Sequence, residues 1–524
     1  MLTNLDGIWE FAWTKEVSEE AVYDSFAAVP GCFDAEGLRF NQRGIGHYRR
    51  SVTLSGAKQR LKIASFGLHA VVLLDGEVLA ESFFAWSPLK VDLPEGRAGE
   101  HLLEIRVDNF IKGHPLFIDR YDFYGFGGIY DHVTLEDVAE GEIVSLKITP
   151  LDYTTGEILL NVQSSASTLH ISFDNDPATA QTFPNTGELR LKVPAFKLWS
   201  PETPFLHTIR VNEREEEFGI RVLDWSGEHL KLNGRKITLR GVNRHESHPE
   251  FGAATPESLI LSDLLRIKKA GLNFIRGSHY PQREFFFRTC DKLGIMVWEE
   301  PLSWGNRAEE LNEAFLAALG AQLELTIENS YNHPSLIIHG FLNECASDTP
   351  EGYEAVKRMM AICHRLDQSR PAAFASNRPT RDICFELSDL VCMNVYPGWY
   401  GENSLEEIKP KINEFVQLCS GKVKVISEIG AGAMYGFHSA EPFVPWSEEY
   451  QSEFVCQVVE QVLEDDRWSG FMLWVFCNAN TYTDTQYRVN RPRGYNNKGL
   501  LDEYRRPKRA FLDLPGLLKK YPEA

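Results

Sequence analysis

Two apolar runs in the second half of the chain end on glutamate: LIIHGFLNE closes on Asn343 and Glu344, and KVISEIG carries Glu428. A third, GIMVWEE, ends on Glu299 and Glu300. Any one of these carboxylates is most simply a solvated strand end, although a cluster of them is costly without a task. A pair has a further use. Breaking a glycosidic bond needs one carboxylic acid to protonate the departing oxygen and one carboxylate to attack the anomeric carbon, and two glutamates supply both. In the retaining version of this reaction the carboxyl groups stand about 5–5.5 Å apart, close enough for one charge to keep the other group protonated. Cys345 is a competing nucleophile beside Glu344. It has no activating partner visible in the sequence and reads better as pocket lining.

For these side chains to meet, the elements that carry them must open on one face. From residue 226 onward strand-like runs alternate with amphipathic segments, the pattern of a parallel α/β fold. The runs are 236–243, 273–280, 294–300, 336–344, 372–376, 390–397, 424–430 and 471–478. Eight βα units over 226–524 are the size of a TIM barrel, whose reactive groups gather at the C-terminal ends of the strands. Between the first two runs a helix is predicted, capped by Thr255, with Pro256 in its first turn, Leu261, Leu264, Leu265 and Lys268 at helical spacing, and Gly271 at its end.

Before residue 226 the chain is all β in character. Residues 1–139 hold short strand runs with turn punctuation, among them AVVLLDGEVLA, whose Asp75-Gly76 pair predicts a hairpin. Residues 140–225 continue with runs such as GEILLNVQSS and HTIRVNE, a second and smaller β-sandwich. With 524 residues, 43% of them hydrophobic, each of three domains has enough apolar content for a core.

Composition narrows the partners. Lys plus Arg number 54 against 74 Asp plus Glu, and the balance of −20 repels phosphate backbones and anionic lipid, so neither nucleic acid nor membrane is an expected partner. The start, MLTNLDGIWEF, lacks the pattern of a secretory signal and no later stretch is a membrane span, so a cytoplasmic protein is expected. The nine cysteines form no CxxC pair and no zinc-like spacing. No metal or organic cofactor is expected, and a homo-oligomeric state is left open.

At this point the motifs carry a resemblance. LRGVNRHESHP (239–249), NHPSLIIHGFLNE (332–344) and VISEIGAG (425–432) resemble glycoside hydrolase family 2. VPGCFD (29–34), GHYRRSV (46–52) and GFGGIYDHV (125–133) are similar to that family's jelly-roll sugar-binding domain, and LWSPETP (198–204) and FGIRV (218–222) to its immunoglobulin-like domain. The resemblance implies that Glu344 is the acid/base, Glu428 the nucleophile, and Asn343 a partner of the sugar C2 hydroxyl. GYNNKGLLDEYRRPK (494–508) resembles the branch that acts on β-glucuronides, where an Asn-x-Lys element, here Asn496 and Lys498, contacts the substrate carboxylate. An ammonium and an amide give charge-assisted bonds that a neutral sugar does not match. MNVYPGWYG (393–401) and WSEEYQ (446–451) are similar to the same branch, which implies that Tyr396 and Tyr400 lie near the sugar.

The resemblance also places His245, His279 and Trp474 in the pocket wall, and Asp122 as a contribution from the first domain. Arg491 and Arg493 lie close to the Asn-x-Lys element, and which of them meets substrate is left open. The chain departs from the pattern at Cys345, where the family has proline. Residues 301–332 leave little room for a long mouth-covering loop, and no module is expected after the eighth barrel unit. The expected activity is retaining hydrolysis of β-D-glucuronides, with β-D-galacturonides as the near alternative. Neutral β-galactosides or β-mannosides follow, and a non-catalytic carbohydrate-binding protein comes last.

Overall fold

The computed structural model describes residues 2–35, 39–40, 42–118, 121–401, 404–441, 444–482 and 491–522. Alternating apolar and polar residues fold the first part of the chain into two facing antiparallel sheets of six and four strands. Their inner faces bury Trp9, Tyr48, Leu61, Val72, Ile105 and Leu135, the core of a jelly-roll sandwich. The hairpin at Asp75–Gly76 joins His69–Leu74 to Glu77–Ser82, with φ of 52° and 82° at its two turn residues. Both positive angles belong to the type I′ turn that matches strand twist. Sheets of three and four strands between Ile143 and Phe218 then pack through Ile158, Leu160, Leu169 and Ile209 as an immunoglobulin-like sandwich.

The remainder is a closed barrel of eight parallel strands. They are β1 (Leu239–Arg244), β2 (Phe274–Gly277), β3 (Met296–Glu299), β4 (Leu336–Asn343), β5 (Ala372–Ser376), β6 (Val391–Asn394), β7 (Lys424–Ile429) and β8 (Gly470–Leu473). Each falls on its run in the sequence. Most are shorter than the run, because the polar residues at their C-terminal ends leave the ladder to form the mouth. Around them lie α1 (Glu257–Lys269), α2 (Glu284–Leu293), α3 (Glu313–Ser330), α4 (Pro350–Leu366), α5 (Ile408–Phe415), α6 (Glu448–Glu464) and α7 (Arg509–Leu518). Residues 377–390, between β5 and β6, form turns and no helix, so that one unit lacks its α-element. Among the described residues no helix is long and apolar enough to cross a membrane.

Helix α1 differs from its sequence reading in two respects. Pro256 stands at the N-cap, and the Thr255 hydroxyl makes no capping bond. Ile260, Asp263, Leu264 and Ile267 face the core while Leu261 and Leu265 are exposed. Both stripes follow helical spacing, and packing against α2 selects the one that includes Ile260 and Ile267. Gly271 does follow the helix end, with φ 86° and its N–H bonded to Lys268 O.

The barrel interior explains where the site must lie. Leu239, Phe274, Met296, Trp298, Cys392, Val425 and Met472 fill it, clustered at one end with Leu223, Leu230 and Leu232. Side chains alternate along a strand, so the next inward positions toward the mouth are Arg276 after Phe274, Glu300 after Trp298, Asn394 after Cys392 and Trp474 after Met472. Register shifts break the alternation in four of the barrel's ladders, and two of them bear on the site. The β4–β5 register shifts between Gly340 and Asn343, and the β6–β7 register shifts where Asn394 pairs with Glu428. A bulge re-aims the residues that follow it, and here those residues are Asn343 and Glu428.

Candidate active site

Arg276 organises the barrel mouth. Fully buried, its guanidinium donates to Glu428 Oε1 at 2.8 Å, to Glu300 Oε2 and Oε1 at 3.1 and 3.0 Å, and to Asn343 Oδ1 at 2.9 Å. The other Glu428 oxygen accepts from Tyr396 Oη at 2.7 Å. Asn394 Nδ2 donates to Asn343 Oδ1 at 2.9 Å and to Glu344 Oε1 at 3.0 Å, and Ser427 Oγ holds the opposite end of that amide at 2.7 Å. A continuous polar chain therefore runs from Glu428 through Arg276, Asn343 and Asn394 to Glu344.

The two glutamates sit in unlike surroundings. Glu428 is met by a guanidinium and a phenol, whereas among the described residues the one side chain hydrogen-bonded to the Glu344 carboxyl is the Asn394 amide. Burial, and then the charge of Glu428, push the Glu344 carboxyl up to about 7. Burial also raises Glu428, against the lowering effects of Arg276 and Tyr396. Two carboxyl groups in one cavity, one facing a fixed cation and one not, are arranged to hold one proton between them. The Glu344 backbone is in the left-handed region, with φ 51°. Its N–H donates to Ala375 O at 2.8 Å, and Arg378 Nη1 donates to the carbonyls of Glu344 and Cys345 at 3.1 and 2.6 Å. A non-glycine residue held in this way costs about 1–3 kcal/mol, and such strain collects at functional sites. Cys345 itself is buried, and its thiol is pushed up to about 12 by burial, so it lines the wall as a protonated thiol.

The cavity at this mouth has a volume of about 630 Å³ and is lined by Glu344, Glu428, Tyr396, Tyr400, Trp474, Asp122 and Arg491, among others. Asp122 reaches it from the first domain. Arg491 Nε donates to the two Asp122 oxygens at 3.0 and 3.2 Å, and Asn496 Nδ2 donates to Oδ2 at 3.1 Å. Arg493 turns away to pair with Glu503 at 2.8 Å. Of the two arginines, Arg491 is the one at the cavity. His245 and His279 are buried beside the site, with His279 Nε2 3.9 Å from Glu428 Oε1. Trp474 stacks on His279 with ring centroids 5.3 Å apart and meets His245 edge-on at the same distance. His279 Nδ1 donates to Glu300 Oε1 at 2.7 Å, and burial holds both imidazoles well below their usual range, hence neutral.

Lys498 lies in an aromatic cage. Its Nζ donates to Tyr400 Oη at 2.8 Å and sits 4.9, 5.4 and 5.7 Å from the ring centres of Tyr400, Tyr396 and Trp399. The side chain is 3% exposed, and among the described residues no carboxylate comes within 4.0 Å of the ammonium. Burial, reinforced by the charge of Arg491, lowers its pKa. The loop that holds it is fixed from below. Gln451 Nε2, on α6, donates to Lys498 O at 3.2 Å and Gly499 O at 3.0 Å, and the buried Lys508 ammonium donates to Asn497 O at 3.0 Å and Ala433 O at 2.8 Å. Gly499 is required by close approach, since a Cβ there would stand 2.2 Å from Asn478 N.

Sequence reasoning missed Arg276 and Asn394, which tie the two glutamates together. Their signal was weak but present: a lone Arg in NFIRGSHY and a lone Asn in LVCMNVYP, each two places along from a core residue. Glu299 and Glu300 separate, as neighbours on a strand must. Glu300 joins Arg276, and Glu299 faces outward to accept from Gln282 N at 2.9 Å.

A barrel whose mouth gathers two buried glutamates, a guanidinium and an aromatic-lined cavity has the form of a glycoside hydrolase, and comparison with known proteins agrees. Residues 223–516 match the TIM barrel domain model of glycosyl hydrolases family 2. A family 2 β-galacturonidase from Eisenbergiella tayi, solved bound to galacturonate, is 32% identical, with a TM-score of 0.91 over 100% of this chain and 98% of that one. A β-glucuronidase of Streptococcus agalactiae is 24% identical, with 97% of this chain and 94% of the relative covered. A putative β-glucuronidase of Formosa agariphila is 24% identical over 93% of this chain, which spans 66% of that relative. The chain belongs to glycoside hydrolase family 2, and it is a glycoside hydrolase.

Proposed function

We propose that the chain is a retaining β-D-hexuronidase, in which Glu428 attacks the anomeric carbon and Glu344 first protonates the leaving oxygen and then deprotonates the hydrolytic water. The observation that carries the substrate class is Lys498. A buried ammonium without a carboxylate partner is costly, and a substrate carboxylate removes that cost. Arg491 does not meet the need of Asp122 and of substrate equally, because its guanidinium already faces Asp122. Asn343 supports the same reading: its Nδ2 is buried without a hydrogen-bond partner among the described residues, a donor suited to the sugar C2 hydroxyl. The role division is supported by the contrast between Glu428, beside Arg276, and Glu344, pushed up to about 7. The chemistry needs neither metal nor organic cofactor. We keep 1–139, 140–225 and 226–524 as the domain division, with the first domain supplying Asp122 to the site of the third.

Of the two hexuronides, sequence analysis puts the glucuronide first. One observation favours the galacturonide as a second reading: identity to the E. tayi β-galacturonidase is 32%, against 24% for the glucuronidases named above. The epimers differ only at C4, and the carboxylate clamp treats them alike. The test is turnover of paired nitrophenyl β-D-glucuronide and β-D-galacturonide beside the neutral β-glucoside and β-galactoside. The expected result is turnover of uronides far above neutral sugars, with the better epimer naming the specificity. Faster turnover of either neutral sugar overturns the hexuronide reading.

A pH prediction follows from the same pair. kcat/KM is expected to fall as pH rises through about 7, because Glu344 is then ionised and no longer an acid. At the acid end it falls as Glu428 becomes protonated, at a pH above the usual carboxylate range. Glu344→Gln is expected to abolish the alkaline limb in whatever activity remains, read from profiles on an aryl uronide with a good leaving group. An alkaline limb that survives this substitution contradicts the assignment of the acid.

A further inference from the structure

One barrel unit lacks its helix, and the segment in its place grips the loop that carries Glu344. Residues 377–390 follow β5 as turns. Ile383 N donates to Ser347 O at 3.1 Å, and the Cys384 thiol donates to the same carbonyl at 3.2 Å. Ser347 Oγ donates to Asp382 Oδ2 at 2.5 Å, and Ser376 Oγ, at the end of β5, donates to the same oxygen. Arg378 adds a charged hold. Its Nη1 donates to Glu344 O at 3.1 Å and to Cys345 O at 2.6 Å, while its Nε lies 3.0 Å from Asp348 Oδ1. One guanidinium thus closes the loop from Glu344 to Asp348.

We propose that Arg378 is a positioning residue for the acid, fixing the backbone turn that presents the Glu344 carboxyl to the departing oxygen. The proposal rests on the reading of Glu344 as the acid. In an extended strand successive carbonyls point to opposite sides, so those of residues 344 and 345 could not both meet one nitrogen. At Glu344 the backbone is left-handed, with φ 51°, and both carbonyls reach Arg378. Cys345, unlike a proline, does not restrict the backbone before it. The turn is instead held from outside the loop, by Arg378 and by Ala375 O, which accepts from Glu344 N at 2.8 Å. Arg378 meets the Glu344 carbonyl, whereas the carboxyl is bonded to Asn394 Nδ2 at 3.0 Å. The guanidinium therefore acts on the acid through the backbone. A proton donor moved out of place slows only a step that needs its proton.

The test compares kcat/KM for two substrates that share the glycone the enzyme turns over. The methyl glycoside releases its oxygen only with a proton, and the 2,4-dinitrophenyl glycoside releases a phenolate that needs none. Arg378→Ala is expected to lower the methyl-to-dinitrophenyl ratio about 10-fold or more, a part of the ~10²–10⁴-fold that a positioned proton donor supplies. A general loss of folded enzyme lowers both values alike and leaves the ratio unmoved. Arg378→Lys, which keeps a charged donor near the carbonyls and guards against a folding defect, is expected to keep more of the ratio than Arg378→Ala. Equal losses on both substrates, or a ratio that Arg378→Lys keeps no better than Arg378→Ala, overturn the positioning role. Glu344→Gln tests the underlying reading separately, and its ratio is expected to fall further than that of Arg378→Ala. If Glu344→Gln leaves the ratio unchanged, Glu344 is not the acid. If Glu344→Gln lowers it and Arg378→Ala does not, the role of Arg378 alone falls.

Discussion

Replacing Glu428 by alanine is expected to lower kcat on an aryl uronide by on the order of 10⁴-fold or more, the scale seen when a covalent nucleophile is removed. The size of the effect follows from position. Glu428 is the carboxylate whose two oxygens are both oriented, one by Arg276 at 2.8 Å and one by Tyr396 at 2.7 Å. The neighbouring acidic groups are committed elsewhere: Glu300 is bonded to Arg276 and His279, Asp122 to Arg491 and Asn496, and Glu344 is the proposed acid. Added azide is expected to restore part of the activity to Glu428→Ala, filling the space left by the carboxylate and giving the uronyl azide of inverted configuration. Steady-state kinetics and product analysis read both effects. Activity of Glu428→Ala within a few-fold of wild type would refute the nucleophile assignment.

Lys498→Ala is expected to produce the second large effect, a loss on the order of 10²–10³ in kcat/KM for uronides, which is about 3–4 kcal/mol and falls within the range for truncating one partner of a buried charge pair. The preference for a uronide over the matching neutral glycoside should fall by a similar factor, because the neutral sugar never formed that contact. A second measurement separates function from folding. The residue is 3% exposed and its ammonium has no carboxylate within 4.0 Å among the described residues, so removing it relieves a desolvation cost in the free enzyme. The unfolding temperature of Lys498→Ala is therefore expected to stay level or rise while activity falls. A drop in both, with uronide preference kept, would mark Lys498 as a structural residue.

Much of this site could be read in the chain because a barrel turns sequence position into geometry. Apolar runs that end on Asn343–Glu344 and carry Glu428 deliver those groups to one mouth whatever the loops between them do. Asn496 and Lys498 were legible through a motif, and the fold brings Lys498 against Tyr396 and Tyr400, which line the cavity. Other features depend on packing that no local pattern encodes. The register shifts before Asn343 and Glu428 override strict alternation and leave no mark in the sequence. Arg276 looks like an ordinary polar strand ending, and its function emerges only when four other strands and their following segments supply partners. Helical spacing fitted both the Leu261 and Ile260 stripes of α1, and only the neighbouring helix distinguishes them. His245 and His279 are placed by their motifs near the sugar, and the structure sets the Trp474 ring against both of them with His279 Nε2 3.9 Å from Glu428.

The central claim, that Glu428 forms the covalent bond to the sugar, is most directly tested by trapping that bond. An activated hexuronyl fluoride carrying fluorine in place of the C2 hydroxyl slows both steps, but its good leaving group lets the first proceed. The enzyme is expected to inactivate with a mass gain of one fluorouronyl group, located by peptide mass spectrometry on the segment that contains Glu428. Attachment to Glu344, or turnover with an inverted anomeric product and no adduct, would contradict the account.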